Sequence, residues 1–395
     1  MTRPSHGRSR DLRRPPIADI NALAAAERAR GKDLIDLGQA VVGLPPPPAA
    51  LARVQRYLAE TPVHVYAPDP GLPEAREAVA DHLRRRKGVT DARAAEVMLT
   101  CGANQAFVNA LLTLTRPEDE VITFGPGYFD HDFAIRLAHC VNVEVPLEVQ
   151  GPSDGPTGFR FDIERVAAAV TPRTRVVVLV SPGNPTGAVI AAADRQRLQR
   201  LCRERDLWLV SDETYDLLTF PPATHESPAA TGPRDHTVVL GSFSKVFSLA
   251  AWRAGYLFGP ASFIEEAIKA QDAVVVCAPV PSQQAALGAL QEVDAYTAHA
   301  RETLQRRRDL LLSRLQDHPR LAATRPHGGT FVFARLRDAP DDVAFCKELV
   351  TRAGVITVPG SAFGPRGAGW VRLSYGNQPS ALLGQACDRL EEVVG

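Results

Sequence analysis

Residues 175–180 read Arg-Val-Val-Val-Leu-Val, a run in which neither alternate position offers a face to water. Successive side chains of a strand point to opposite sides, so a strand built from this run is buried on both faces. Such a strand has to lie inside a mostly parallel sheet with helices layered on either side. The sequence around it agrees, because strand and helix patterns alternate from about residue 97. Strands are expected at 97–100, 120–124, 141–146, 175–180, 207–211, 237–240 and 254–258. Helices are expected at about 103–114, 162–170 and 191–205. This predicts an α/β fold with a large doubly wound, mostly parallel sheet.

The chain ends carry other patterns. Helices are expected at 17–30, 49–59 and 73–86, with a short strand at 33–37 between the first two. Residues 150–160, rich in Gly, Pro, Ser and Asp, read as a loop. Beyond 282 a long helical stretch runs to about 316. Strands at 330–334, 354–358 and 371–374, a helix at 341–353 and a last helix follow. The organisation expected is a mobile tail over 1–16, an arm and part of a smaller domain over 17–60, and a large domain over 61–282. An interdomain helix and a small C-terminal domain would fill 283–395, so that the smaller α/β domain draws on both chain ends.

Charge and cysteine usage exclude several functions. Lys plus Arg and Asp plus Glu each number 45, so the formal net charge is zero. Nothing in that balance favours nucleic acid or a membrane surface. No apolar stretch approaches the ~20 residues a bilayer requires. The arginine-rich N-terminus lacks the apolar core of a secretory signal. The six cysteines are scattered without a C-x-x-C pair. That pattern suits neither a metal site nor a disulfide framework, and predicts reduced thiols in the cytoplasm.

In open α/β sheets, ligands collect beyond the carboxyl ends of strands. Chemistry-bearing residues fall there repeatedly: Gly102 to Asn104 after one strand, Tyr128 after the next, then Asn184 in Ser181-Pro-Gly-Asn-Pro-Thr-Gly187. Asp212 and Tyr215 follow in Ser211-Asp-Glu-Thr-Tyr215, and Ser242, Ser244 and Lys245 in Gly241-Ser-Phe-Ser-Lys245, with Arg253 eight residues on. The chain has only five lysines (32, 87, 245, 269 and 347), and Lys245 alone sits in a strand-to-loop context rich in Gly and Ser. An amine, a carboxylate, a phenol, an amide, hydroxyls and a guanidinium form the set that pyridoxal 5′-phosphate needs: a Schiff-base lysine, an acid facing the pyridine nitrogen, and donors for the phosphate.

These motifs, from about residue 17 to the C-terminus, resemble the class I/II aminotransferase family, the fold-type-I pyridoxal phosphate enzymes related to aspartate aminotransferase. The resemblance implies that Lys245 forms the Schiff base and then shuttles a proton at the substrate Cα. Asp212 would pair with the ring nitrogen, and Tyr215 and Asn184 would hydrogen-bond the phenolate oxygen. Backbone amides of Ala103 and Asn104, with Ser242, Ser244 and Arg253, would take the phosphate, and Tyr128 would stack on the ring. Tyr66 resembles a tyrosine that reaches a neighbouring subunit's phosphate, which implies a homodimer with shared active sites. Arg372, in Trp370-Val-Arg-Leu-Ser374, would grip the substrate α-carboxylate together with Gly38 and Asn184. No metal is implied. His131 and His327 could each point inward to the site, and each reads first as a satisfied structural histidine.

The expected activity is transfer of an amino group from an L-amino acid to a 2-oxo acid through aldimine, quinonoid and pyridoxamine phosphate intermediates. The alternative on the same scaffold is a non-transaminating enzyme of specialised metabolism, performing β/γ-elimination or replacement, cyclisation or oxidation. A departure from the family pattern, Gly38-Gln-Ala-Val-Val-Gly-Leu-Pro45, keeps that alternative open, because this loop shapes the side-chain pocket. A third class, a non-enzymatic regulator that kept the fold, would need a DNA-binding module for which the N-terminal segment is too short.

Overall fold

The structure, a computed structural model, describes residues 7, 9, 12, 14–61, 64–152, 155–337 and 341–392. The tail expected over 1–16 falls largely outside these residues. An eight-stranded sheet dominates the chain. Its order is Val97–Thr100, Gly255–Phe258, Thr237–Ser242, Trp208–Asp212, Thr174–Val180, Glu120–Gly125, Val141–Gln150 and Gly158–Phe161. The four central pairings are parallel, and the Gly255–Phe258 strand and the outermost hairpin strand run antiparallel to their neighbours. Residues Val176 to Leu179 are at most 2% exposed, so the apolar run is covered on both faces as its composition requires.

Register explains why the candidate residues converge. Val180 lies opposite Asp212, and Asp212 opposite Leu240, so three parallel strands end at one edge. Gly255 lies opposite both Ser242 and Thr100. The antiparallel strand therefore starts at the edge where its neighbours finish, and brings Arg253 to the loops that follow Thr100 and Ser242.

A second, four-stranded antiparallel sheet is ordered Leu321–Ala323, Phe331–Leu336, Trp370–Ser374, Val358–Pro359. The strand expected at 354–358 divides. Val355–Ile356 pairs in parallel with Ile35–Asp36, and only Val358–Pro359 joins the four-stranded sheet. The N-terminal segment is thereby tied to the C-terminal one.

Three expectations need correction. Residues 158–161 are not loop but a strand, paired with an extended Val141–Gln150 strand. Phe159 and Phe161 turn inward at 9% and 3% exposure while Arg160 stays in solvent. The period-two pattern was hidden by the Gly and Pro residues before it. A helix, Ala261–Val275, occupies a stretch that carried no expectation. The single helix expected over 282–316 is two, Val280–Gln291 and Val293–Leu315, broken at Glu292. The Glu292 carboxylate accepts the Ala49 N–H at 2.9 Å, which ties the break to the helix Pro48–Glu60. Gly288 lets those helices meet, since a Cβ there would lie 2.3 Å from the Ala49 carbonyl oxygen. Among the described residues, no helix is long and apolar enough to cross a membrane.

Candidate active site

The strand ends enclose a cleft of ≈ 370 Å³. Gly38, Ala103, Asn104, Tyr128, Asn184, Asp212, Tyr215, Ser242, Ser244, Lys245, Arg253 and Arg372 all line it. Tyr66 does not line it and is 80% exposed.

The Lys245 ammonium is unfavourable where it sits. Burial, then the positive charges of Arg372 and Arg253, lower its pKa to about 8. Asp212 is buried at the end of its strand. Burial pushes its carboxyl up, but His131 and Thr214 outweigh that and hold it below its ordinary value. His131 Nε2 lies 3.2 Å from Oδ2, and the Thr214 N–H and hydroxyl donate to Oδ1 at 3.0 and 2.7 Å. An ionised carboxylate is thus kept inside the cleft with its oxygens oriented. His131 is a satisfied histidine, as expected, and its partner is this acid. Tyr215 is buried three residues on, with its phenol pushed up by burial.

At the other end of Lys245 the surface is built to take an anion. The helix Ala103–Leu114 begins at the cleft, and its first N–H groups lack intrahelical partners. Gly102 precedes it at φ +83°, and a Cβ there would come within 2.6 Å of Arg253 Nη2. Arg253 itself adopts a left-handed backbone, φ 54°, a conformation that costs a non-glycine residue on the order of 1–3 kcal/mol. Its guanidinium donates to Ser244 Oγ (3.5 Å), the Ala250 carbonyl (3.0 Å) and the Cys101 carbonyl (3.3 Å). Helix amides, Ser242, Ser244 and Arg253 therefore face one space.

Arg372 closes the cleft from the smaller sheet. Its side chain is buried, flanked by the Phe331 and Phe363 rings at 5.1 and 5.0 Å. Nη1 donates to Asn184 Oδ1 at 3.0 Å and Nη2 to the Gly38 carbonyl at 2.7 Å, while Nε is a buried donor without a partner. Burial brings its pKa down to about 10, against the partial support of Tyr215, Tyr128 and Asp36. A forked guanidinium fixed between two rings is pre-organised for a carboxylate. Tyr128 stands edge-on to His131 at 5.4 Å and donates its hydroxyl to Asp130 Oδ2 at 2.5 Å. His327 stays out of the cleft, and its backbone N–H donates to the Gly187 carbonyl at 2.9 Å.

Sequence reasoning passed over the support beneath the site. Lys87 Nζ lies 2.9 Å from Glu213 Oε2 and 2.6 Å from Asp216 Oδ2, with the three side chains 4%, 0% and 7% exposed. Glu213 directly follows Asp212 and Asp216 directly follows Tyr215, so one turn sends two residues to the cleft and two to a buried lysine. The signal was present: Ser-Asp-Glu-Thr-Tyr-Asp holds three acids in six residues after a buried strand, and buried acids need a cation. Only the fold identifies which lysine supplies it.

Known proteins share this chain's sequence pattern and fold. The sequence profile described as "Aminotransferase class I and II" matches residues 32–390. The aspartate/prephenate aminotransferase of Thermus thermophilus is 36% identical over 380 residues, covering 95% of each chain. The arginine–pyruvate transaminase of Pseudomonas aeruginosa is 35% identical, covering 94% of this chain and 93% of its own. Among solved structures, the N-succinyldiaminopimelate aminotransferase of Mycobacterium tuberculosis superimposes with a TM-score of 0.91 at 31% identity, over 99% of this chain and 100% of its own.

Proposed function

The chain belongs to the class I and II aminotransferase family and is an aminotransferase; we propose that it moves an amino group from an L-amino acid to a 2-oxo acid with pyridoxal 5′-phosphate held on Lys245. The single observation behind this is that one cleft gathers Lys245, Asp212, Arg253 and Arg372. The residues present suit the cofactor. The space before the helix Ala103–Leu114 exists because Gly102 carries no side chain against Arg253, and the donors around it are those a phosphate takes. Asp212, ionised and held by His131, suits a protonated ring nitrogen.

In this reading Asp212 faces the ring nitrogen, and Tyr215 and Asn184 donate to the ring oxygen. The amides of Ala103 and Asn104, with Ser242, Ser244 and Arg253, hold the phosphate, and Tyr128 covers the ring. Bound there, the cofactor supplies an electron sink that acidifies the substrate Cα–H. Arg372, with Gly38 and Asn184, fixes the α-carboxylate and so aims that hydrogen at Lys245. Once the substrate's amino group has displaced it from the cofactor, the freed Lys245 amine would accept that proton. The exposure of Val65 (70%) and Tyr66 (80%) supports a homodimer in which Tyr66 of one subunit serves the phosphate site of the other. We also propose the domain division 17–60, 61–282 and 283–395, and a cytoplasmic location, which six free cysteines suit.

Purified protein loaded with the cofactor tests the reading. Borohydride should fix the cofactor to Lys245, and an amino donor should convert the chromophore to the pyridoxamine form with one equivalent of oxo acid released. Release of a side-chain leaving group without pyridoxamine would transfer the assignment to an eliminating enzyme on the same scaffold.

A further inference from the structure

Beyond the α-carboxylate grip, the cleft wall is the open end of an aromatic cluster. Phe333, Val358, Phe363 and Trp370 of the smaller lobe pack with Phe159 from the edge of the large sheet, and Phe333 and Trp370 are stacked at 5.0 Å. Ile17 and Phe129 lie against that cluster, and Ile17, Phe129 and Val358 line the cleft. Phe129 sits 6.3 Å from Phe363, one of the two rings that flank Arg372. A substrate held by its α-carboxylate on Arg372 therefore presents its side chain beside an apolar surface.

The polar groups nearby do not offset this. Among the described residues, the cations lining the cleft are Lys245, Arg253 and Arg372. Arg253 is turned to Ser244 and the carbonyls of Ala250 and Cys101, and Arg372 to Asn184 and Gly38. The Asn104 amide and Tyr128 hydroxyl both donate to the Asp130 carboxylate, at 2.9 and 2.5 Å, which places a negative charge behind that wall. A second carboxylate on the substrate would lose hydration here, with no further cation among the described lining residues to receive it.

We propose that the site selects amino acids with an uncharged apolar or aromatic side chain, and that Ile17, with Phe129 and Val358, determines this preference. The proposal rests on the aminotransferase reading for its substrate pose. Desolvation of the side chain against this wall favours phenylalanine over alanine by roughly 10- to 150-fold in kcat/KM, the range expected for burying a large apolar group. Aspartate and glutamate fall on the order of 100-fold or more below phenylalanine.

The test uses the cofactor-loaded protein in two independent ways. Single-turnover conversion of the chromophore is measured with phenylalanine, leucine, alanine, aspartate and glutamate. Calorimetry compares 3-phenylpropanoate with succinate, which bind without reacting. Phenylalanine and 3-phenylpropanoate should lead in both. Ile17→Arg should weaken 3-phenylpropanoate and strengthen succinate at least tenfold, and Arg14→Ala, altering a cation of the neighbouring cavity beyond Tyr128 and Phe129, should leave the ratio unchanged. Succinate binding as tightly as 3-phenylpropanoate, aspartate reacting as fast as phenylalanine, or a ratio that moves with Arg14→Ala would overturn the proposal. If no amino acid reacts, the aminotransferase reading falls, while the calorimetric ratio still decides what the wall selects.

Discussion

Replacing Lys87 by Met tests the buried ion triad that carries the 212–216 turn. The ammonium lies 2.6 Å from one carboxylate and 2.9 Å from the other. At an effective dielectric of about 20, each attraction is worth about 6 kcal/mol. Most of that offsets the desolvation of three buried charges, and loss of one member of such a group costs on the order of 3–5 kcal/mol net. Methionine fills similar space, so a cavity adds little. For a chain of this length the loss lowers the thermal midpoint by roughly 4–6 °C, using about 2 cal/mol/K of unfolding entropy per residue.

The pH dependence is specific. Glu213 is buried, which alone would raise its pKa, but Lys87 and His225 hold it well below its ordinary value. Its stabilising effect is therefore present above the unfolded carboxyl pKa, about 4.3, and is lost as pH falls through the lower folded value. In Lys87→Met, Glu213 loses the ammonium and keeps only His225 as a partner, so burial moves its folded pKa up and the stabilisation it gives at neutral pH is reduced. The difference between wild type and variant should accordingly be largest at neutral pH and shrink toward pH ~4. Scanning calorimetry of both proteins without added cofactor, at pH 5 and pH 7.5, measures this. A midpoint difference below about 1 °C at pH 7.5, or one equal at both pH values, would refute the electrostatic account.

Four further outcomes are expected. Arg372→Lys keeps the charge but loses the fork, and should lower kcat/KM for an amino donor by about 10- to 150-fold, the loss expected for a hydrogen bond to a charged group. Gly102→Ala drives a methyl toward Arg253 at a backbone angle that favours glycine, so cofactor affinity measured by fluorescence quenching should fall at least tenfold while the far-ultraviolet spectrum is kept. Lys245 is neutral in the folded apoprotein above its pKa of about 8, so cofactor capture should be half-maximal near pH 8. Between there and the ordinary lysine value of about 10.4 the unfolded chain binds the extra proton, so this group adds stability as pH rises, and Lys245→Met should flatten that part of the stability–pH curve. His131→Phe removes one of the partners that lower the Asp212 pKa, and should weaken cofactor binding measured by equilibrium dialysis, with a larger loss than in a His327→Phe control.

Much of the molecule is legible in its order of residues. The apolar run at 176–180 dictates a strand covered on both sides, and alternation with helices dictates the layered sheet. Local chemistry also marks the candidate residues, because Lys245, Asp212 and Asn184 each follow a strand directly, and parallel strands end together. These are short-range facts: periodicity, and position relative to the nearest strand end. The hairpin strand at 158–161 was missed because its four residues carry too little periodicity to outweigh the Gly and Pro beside them.

Distance along the chain conceals the rest. Arg372 donates to Asn184 and Gly38, 188 and 334 residues away, and nothing local to any of the three announces that pairing. The partner of Glu213 and Asp216 is a lysine at the end of a helix more than a hundred residues earlier, and the partner of Asp212 is His131 from a different strand–helix unit. Ile17 reaches the cleft because the first helix packs against the C-terminal lobe. A sequence specifies which side chains must leave water. Which of them then share a charge, a proton or a wall depends on how the layers close, since only packing brings remote groups within the few ångströms over which those forces act.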